Sequence, residues 1–147
     1  VLIAPNFRVQ GTGSELLSGP WGGQLARLLL GAERGFQPRN DLQAHLWTSS
    51  YPTEAILPMA AMVALTSRTP LEQVDAPALF VFSDEDRVVD ARATRAVISN
   101  DTATTETALV TEADDPNRHV IAGDAFSPST TRALSDRVVT WLRATLD

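Results

Sequence analysis

Two apolar runs, VLIAPNF at 1–7, closed by Pro5 and Asn6, and ALFVF at 78–82, constrain this chain of 147 residues more than any other feature. A strand with one wet face alternates apolar and polar residues. An apolar run of this length without alternation belongs to a strand buried on both faces, which means a parallel sheet with helices on either side.

The rest of the chain supplies those helices. Residues 8–20 hold Gly11, Gly13, Gly19 and Pro20 among polar residues and read as a loop. A helix is expected to start at Pro20, with Trp21, Leu25, Leu28 and Leu29 as its apolar stripe and Gly31 as its C-cap. Residues 32–44 are polar, carry Pro38 and read as irregular, with a short helical turn at 44–47. A further helix is expected over 53–67, capped by Thr53, with Ile56, Met59, Ala60, Val63 and Ala64 facing the core; Pro58 falls in its first turns, where a lost hydrogen bond costs least. After the second apolar run come an acidic turn at 83–89, a helix at 90–99 through Ala93, Ala96 and Val97, and a β-favouring stretch at 105–111. A polar loop with Arg118-His119-Val120 then leads to an amphipathic helix at 130–146, capped by Ser129 or Thr130. Strands alternating with helices predict an α/β fold: three parallel strands joined by right-handed crossovers. The stretch between the first two strands is too long for a plain crossover and too apolar for disorder. The expected organisation is therefore a core of 1–7 with 76–147, interrupted by a helical cap over 8–75.

Charge and composition narrow the function. Eighteen acidic residues against twelve basic ones, all of them arginine, leave a net charge of −6. Nucleic acid and anionic membrane surfaces need a basic face, so neither is expected as a partner. The absence of cysteine excludes disulfides, thiolate metal sites and a cysteine nucleophile. No apolar run approaches the ~20 residues of a membrane span. No leader-like segment opens the sequence, so a cytoplasmic location is expected. The chain begins in what reads as the middle of a strand, and a piece of a longer protein is expected.

Open parallel sheets bind ligands beyond the carboxyl ends of their strands. Asp84, Glu85, Asp86 and Asp90 follow the second strand; Asp114, Asp115, Asn117, Arg118 and His119 follow the third. A carboxylate on one strand end and a histidine on the next can meet there, the carboxylate fixing the imidazole tautomer for acid–base work. Each candidate has a plainer reading. Asp84 is a rival for the acid, and Asp90 reads better as a helix N-terminal carboxylate. Arg118 reads as a solvated charge. Trp21, Trp47, Tyr51, Met59 and Met62 could line an acyl pocket, but packing between cap and sheet is the simpler role. Ser14 has no elbow and no nearby base in sequence. The acids around Asp86 lack the glycine and glutamate of a calcium loop.

The run Ser83-Asp84-Glu85-Asp86-Arg87-Val88 resembles the G-x-x-D-x-V turn after the seventh strand of the α/β-hydrolase superfamily, with serine in the glycine place. The order strand, acidic turn, helix, strand, histidine loop, helix is similar to the C-terminal half of that fold, and 1–7 resembles its sixth strand. The runs Pro20-Trp21-Gly22 and Ser49-Ser50-Tyr51-Pro52-Thr53-Glu54-Ala55 resemble the caps of bacterial carboxylesterase and lysophospholipase-like members. The resemblance implies a triad acid at Asp86 and a triad base at His119, in a hydrolase of carboxylic esters that needs no cofactor and no metal. The family orders its triad Ser, Asp/Glu, His, and no G-x-S-x-G occurs in this sequence. The nucleophile is therefore expected upstream of Val1, and the chain alone is expected to be inactive. A dehalogenase-like relative with an aspartate nucleophile, or a non-catalytic binding module, is the alternative. Expected partners are a small-molecule ester and either the missing N-terminal half or a second copy paired along the exposed first strand.

Overall fold

The structure, a computed structural model, describes residues 1–11, 19–100 and 103–146. Ser14 lies outside the described residues. The chain divides into two compact units, Val1–Gln10 with Pro70–Asp147, and Gly11–Thr69. Among the described residues no helix is long and apolar enough to cross a membrane.

The first unit is α/β. Its sheet has three parallel strands, β1 (Leu2–Ile3), β4 (Ala78–Phe82) and β5 (Thr105–Leu109), in the order β1-β4-β5. In register, Leu2 lies beside Phe80 and Ile3 beside Val81, while Ala78 to Phe82 run beside Thr105 to Leu109. The central strand owes its unbroken apolar sequence to burial on both faces. Leu79 and Val81 join Val110, Ala113, Ile121 and Trp141 in one cluster, against which Leu134 and Val138 of α5 (Pro128–Leu146) pack. Phe80 and Phe82 join Phe7, Ala91 and Ala93 in a second cluster, against which Val97 and Ile98 of α4 (Ala91–Asn100) pack. The sheet is thus the middle of three layers. Ala96, expected in the buried stripe of α4, is exposed.

The first strand is much shorter than the apolar run 1–7. Ala4 takes a φ of 44°, outside the β region, and Pro5 brings no N–H for a ladder. The run stays apolar because Phe7 still enters the second cluster from a non-strand backbone.

The second unit contains α1 (Gly22–Leu30), α2 (Asp41–Leu46), α3 (Ile56–Thr66), and an antiparallel pair of β2 (Glu33–Gly35) with β3 (Ser50–Pro52). Within the stretch 32–44 expected to be irregular, β2 occupies Glu33–Gly35 and α2 begins at Asp41. Gly35 is required there, since a Cβ would come within 2.9 Å of the Ser49 carbonyl oxygen. Asn40 caps α2, its Oδ1 accepting the Gln43 N–H at 2.8 Å. The α1 stripe expected from the spacing does not face inward. Leu28 is 81% exposed and Trp21 68%, whereas Ala26 is buried. Met59 and Met62 are also exposed. Thr53 does not cap a helix; it is buried, and among the described residues its hydroxyl has no hydrogen-bond partner.

Candidate active site at the carboxyl edge of the sheet

Parallel pairing puts the carboxyl ends of β4 and β5 on one edge, and the ladder continues one step past them as the Val110 N–H donates to the Phe82 carbonyl at 2.9 Å. The turn after β4 and the loop after β5 therefore start side by side.

Three carboxylates of the first turn separate into three environments. Asp84 points to α4, where the Arg95 guanidinium donates to both its oxygens, one bond being 2.7 Å; that partner holds its carboxyl below the usual value. Asp90 is the N-cap of α4: its Oδ1 accepts the Arg92 N–H at 3.0 Å, and the Arg92 side chain, hydrogen-bonded to both oxygens, draws its pKa down. Of these three, only Asp86 faces the second loop. It is 3% exposed. Its Oδ1 accepts the N–H groups of Val88 at 2.7 Å and Val89 at 2.9 Å, and its Oδ2 lies 2.8 Å from His119 Nδ1. The turn sequence dictates this, because a short carboxylate two residues before a free N–H closes on it as an Asx turn. The geometry also assigns the proton. An ionised carboxylate only accepts, so His119 donates from Nδ1 and leaves Nε2 as the acceptor of the neutral ring. Among the described residues Nε2 makes no hydrogen bond, and the ring is partly exposed.

The two loops are tied by more than the acid and the base. The Arg87 N–H donates to the Asn117 carbonyl at 2.9 Å. Arg118 donates from Nη1 to the Ala113 carbonyl at 2.6 Å and lies 3.7 Å from Glu85. It braces the histidine loop and is not the solvated charge expected from sequence. A third segment joins from the chain after β1. Val9 bridges to Val89, and the Gln10 side-chain amide donates to the Asp86 carbonyl at 3.2 Å.

The structure thus brings Asp86 and His119 together and turns Asp84 and Asp90 elsewhere. Among the described residues no group of three His, Asp or Glu side chains is placed to hold a metal. Two contributors were not assigned a role from sequence. Gln10 carries no motif. Asp115, described below, sits in an Asp-Pro-Asn string, itself a turn signal. No family model, no curated protein and no solved structure matches the chain.

Proposed function

We propose that this chain supplies the acid and base of a nucleophilic triad that hydrolyses carboxylic esters, as the C-terminal half of an α/β-hydrolase does, with a serine nucleophile contributed by chain preceding Val1. One observation carries the reading: a buried carboxylate and a partly exposed imidazole, on the loops that follow two adjacent parallel strands, share a 2.8 Å bond at Nδ1 while Nε2 stays available. In this mechanism Nε2 takes the serine proton as the hydroxyl oxygen attacks the ester carbonyl. The tetrahedral intermediate expels the alcohol, which leaves with the proton returned by His119. Water, deprotonated by the same nitrogen, then attacks the acyl-enzyme and releases the carboxylic acid and the free serine. Asp86 keeps the ring in the required tautomer and stabilises the imidazolium at each step. No step needs a cofactor.

The test uses the protein expressed with the segment encoded upstream. A fluorophosphonate should label one serine preceding Val1, and the label should disappear in His119→Ala. Asp86→Asn should lower kcat on p-nitrophenyl esters by up to ~10⁴ through the wrong tautomer. Labelling that survives His119→Ala, or a loss in Asp86→Asn below about tenfold, would overturn the reading. The 147-residue chain by itself should neither label nor turn over ester.

A further inference from the structure

We propose that Asp115 is the positioning residue of the histidine loop, a buried carboxylate that fixes the backbone on both sides of His119 and so aims the ring at Asp86. Its catalytic consequence rests on the function proposed above; its structural part rests on geometry alone.

The segment 110–127 joins β5 to α5 and contains no helix and no strand of the sheet. No ladder sets its register, yet the ring it carries must meet Asp86 within hydrogen-bond tolerance. Asp115 supplies the missing reference point. It is 2% exposed. Its Oδ1 accepts the Asn117 N–H at 3.1 Å, and its Oδ2 accepts the N–H groups of His119 at 3.1 Å and Val120 at 3.0 Å. Its carbonyl oxygen accepts the Arg118 N–H at 2.8 Å. Four successive N–H groups, from Asn117 to Val120, thus converge on one residue. Asp115 is in turn anchored to α5: its own N–H donates to Ser127 Oγ at 3.2 Å, the Ser127 hydroxyl donates to the Val120 carbonyl, and the Ser127 carbonyl accepts the Thr130 and Thr131 hydroxyls in the first turn of the helix.

The two buried aspartates divide the work. Asp86 holds the ring of His119, and Asp115 holds its backbone. Only a carboxylate fits the second role. Both oxygens face N–H donors, so an amide NH₂ in place of either would set donor against donor. The wrap also accounts for the φ of 55° at Arg118, since a left-handed residue is what turns the Arg118 N–H to the carbonyl and the His119 N–H to the carboxylate of the same aspartate.

Asp115→Asn, equal in size, is the test. In the 147-residue chain, proton NMR should show the low-field Nδ1–H resonance of a histidine bonded to a carboxylate. The variant should lose or broaden that resonance while its circular dichroism and cooperative melting persist. In the protein carrying its upstream segment, kcat should fall about 10–100-fold, as misplacement predicts, with KM within about twofold and the yield of titratable serine unchanged. A general loss of folding would instead lower that yield. An unmoved resonance in Asp115→Asn would overturn the proposal. If that variant does not fold, Ser127→Ala removes only the anchor, and it should broaden the same resonance; a resonance unmoved in Ser127→Ala would be equally fatal. A protein that shows the resonance change but never labels or hydrolyses refutes the proposed function and leaves the role of Asp115 standing.

Discussion

Asp84, Asp86 and Asp90 are chemically identical side chains within one turn, and what separates them is the direction of nearby donors. Asp84 meets the guanidinium of Arg95, Asp90 the backbone N–H and guanidinium of Arg92 at a helix start, and Asp86 two backbone N–H groups and an imidazole. Asp114 repeats the capping theme at long range, its carboxylate accepting the Ser129 N–H at 2.9 Å and the Ser129 hydroxyl at 2.8 Å at the start of α5. The caps expected from Ser129 or Thr130 side chains are thus supplied by a residue fifteen positions upstream. The carboxyls of Asp84, Asp90 and Asp114 are all held below their ordinary value, chiefly by Arg95, by Arg92 and by the Ser129 backbone N–H respectively. A depressed folded-state pKa adds stability above the unfolded value, and that stability is lost as pH falls through the folded value. The urea midpoint should therefore be level from about pH 5 to 7 and decline below about pH 4. Asp114→Asn, whose amide oxygen still accepts the Ser129 N–H, should make the decline shallower. A midpoint that rises below that pH would contradict the assignment. Because Asp84 and Asp114 are exposed, their share of the effect should shrink at high salt.

At the scale of elements, burial follows the shape of the apolar pattern and not its amount. Leu79, fully buried on β4, and Leu28, exposed on α1, are the same residue in two segments of different pattern, one apolar throughout and one with an apolar stripe. Leu79→Ala should cost about 2–5 kcal/mol by urea unfolding, through lost transfer energy and the cavity left behind. Leu28→Ala should stay within about 0.5 kcal/mol; a larger cost would mean that this helix face is covered in solution. The contrast explains what sequence reading reached. β4 matched residue for residue, because an unbroken apolar run has no wet face and admits one environment. The 3.6-residue stripe of α1 located the helix but not the side that is buried, since Ala26 and Gly22 are inside while the leucines are largely out. Strands β2 and β3 were invisible because ERG and SYP have no alternation to read. The meeting of Asp86 with His119 was legible from the turn pattern and strand order. The roles of Asp115, Gln10 and Arg118 were not, because they depend on where backbone N–H and C=O groups point, which no residue type encodes.

For the molecule as a whole, charge and edges are unevenly distributed. The sheet unit carries fourteen acids against eight arginines, while the other unit has four of each, so the whole net charge of −6 lies on the unit with the candidate site. The sheet of that unit has two edge strands. β5 reads Thr-Glu-Thr-Ala-Leu, and its Glu106 pairs with Arg137, the kind of polar edge that discourages further pairing. β1 has no such protection. Ile3 is 55% exposed and lines an apolar cavity of about 260 Å³ with Val81, Ala122, Leu134, Val138 and Val139. A second copy can satisfy this edge by two-fold, antiparallel pairing of β1 with β1, since one patch then serves both molecules. The strand is only two residues long, so the association should be weak, with a dissociation constant on the order of micromolar or above. Like net charges oppose it at low ionic strength, whereas the buried contact is apolar; added salt should therefore strengthen the dimer, the reverse of what an ion-paired interface would show. Sedimentation equilibrium at low and high salt should find a dimer that grows with concentration and with salt, and Ile3→Lys, placing a charge on the edge, should abolish it. A clean monomer of the unsubstituted chain at both salts, at concentrations of roughly 100 micromolar, would show that the β1 edge does not pair.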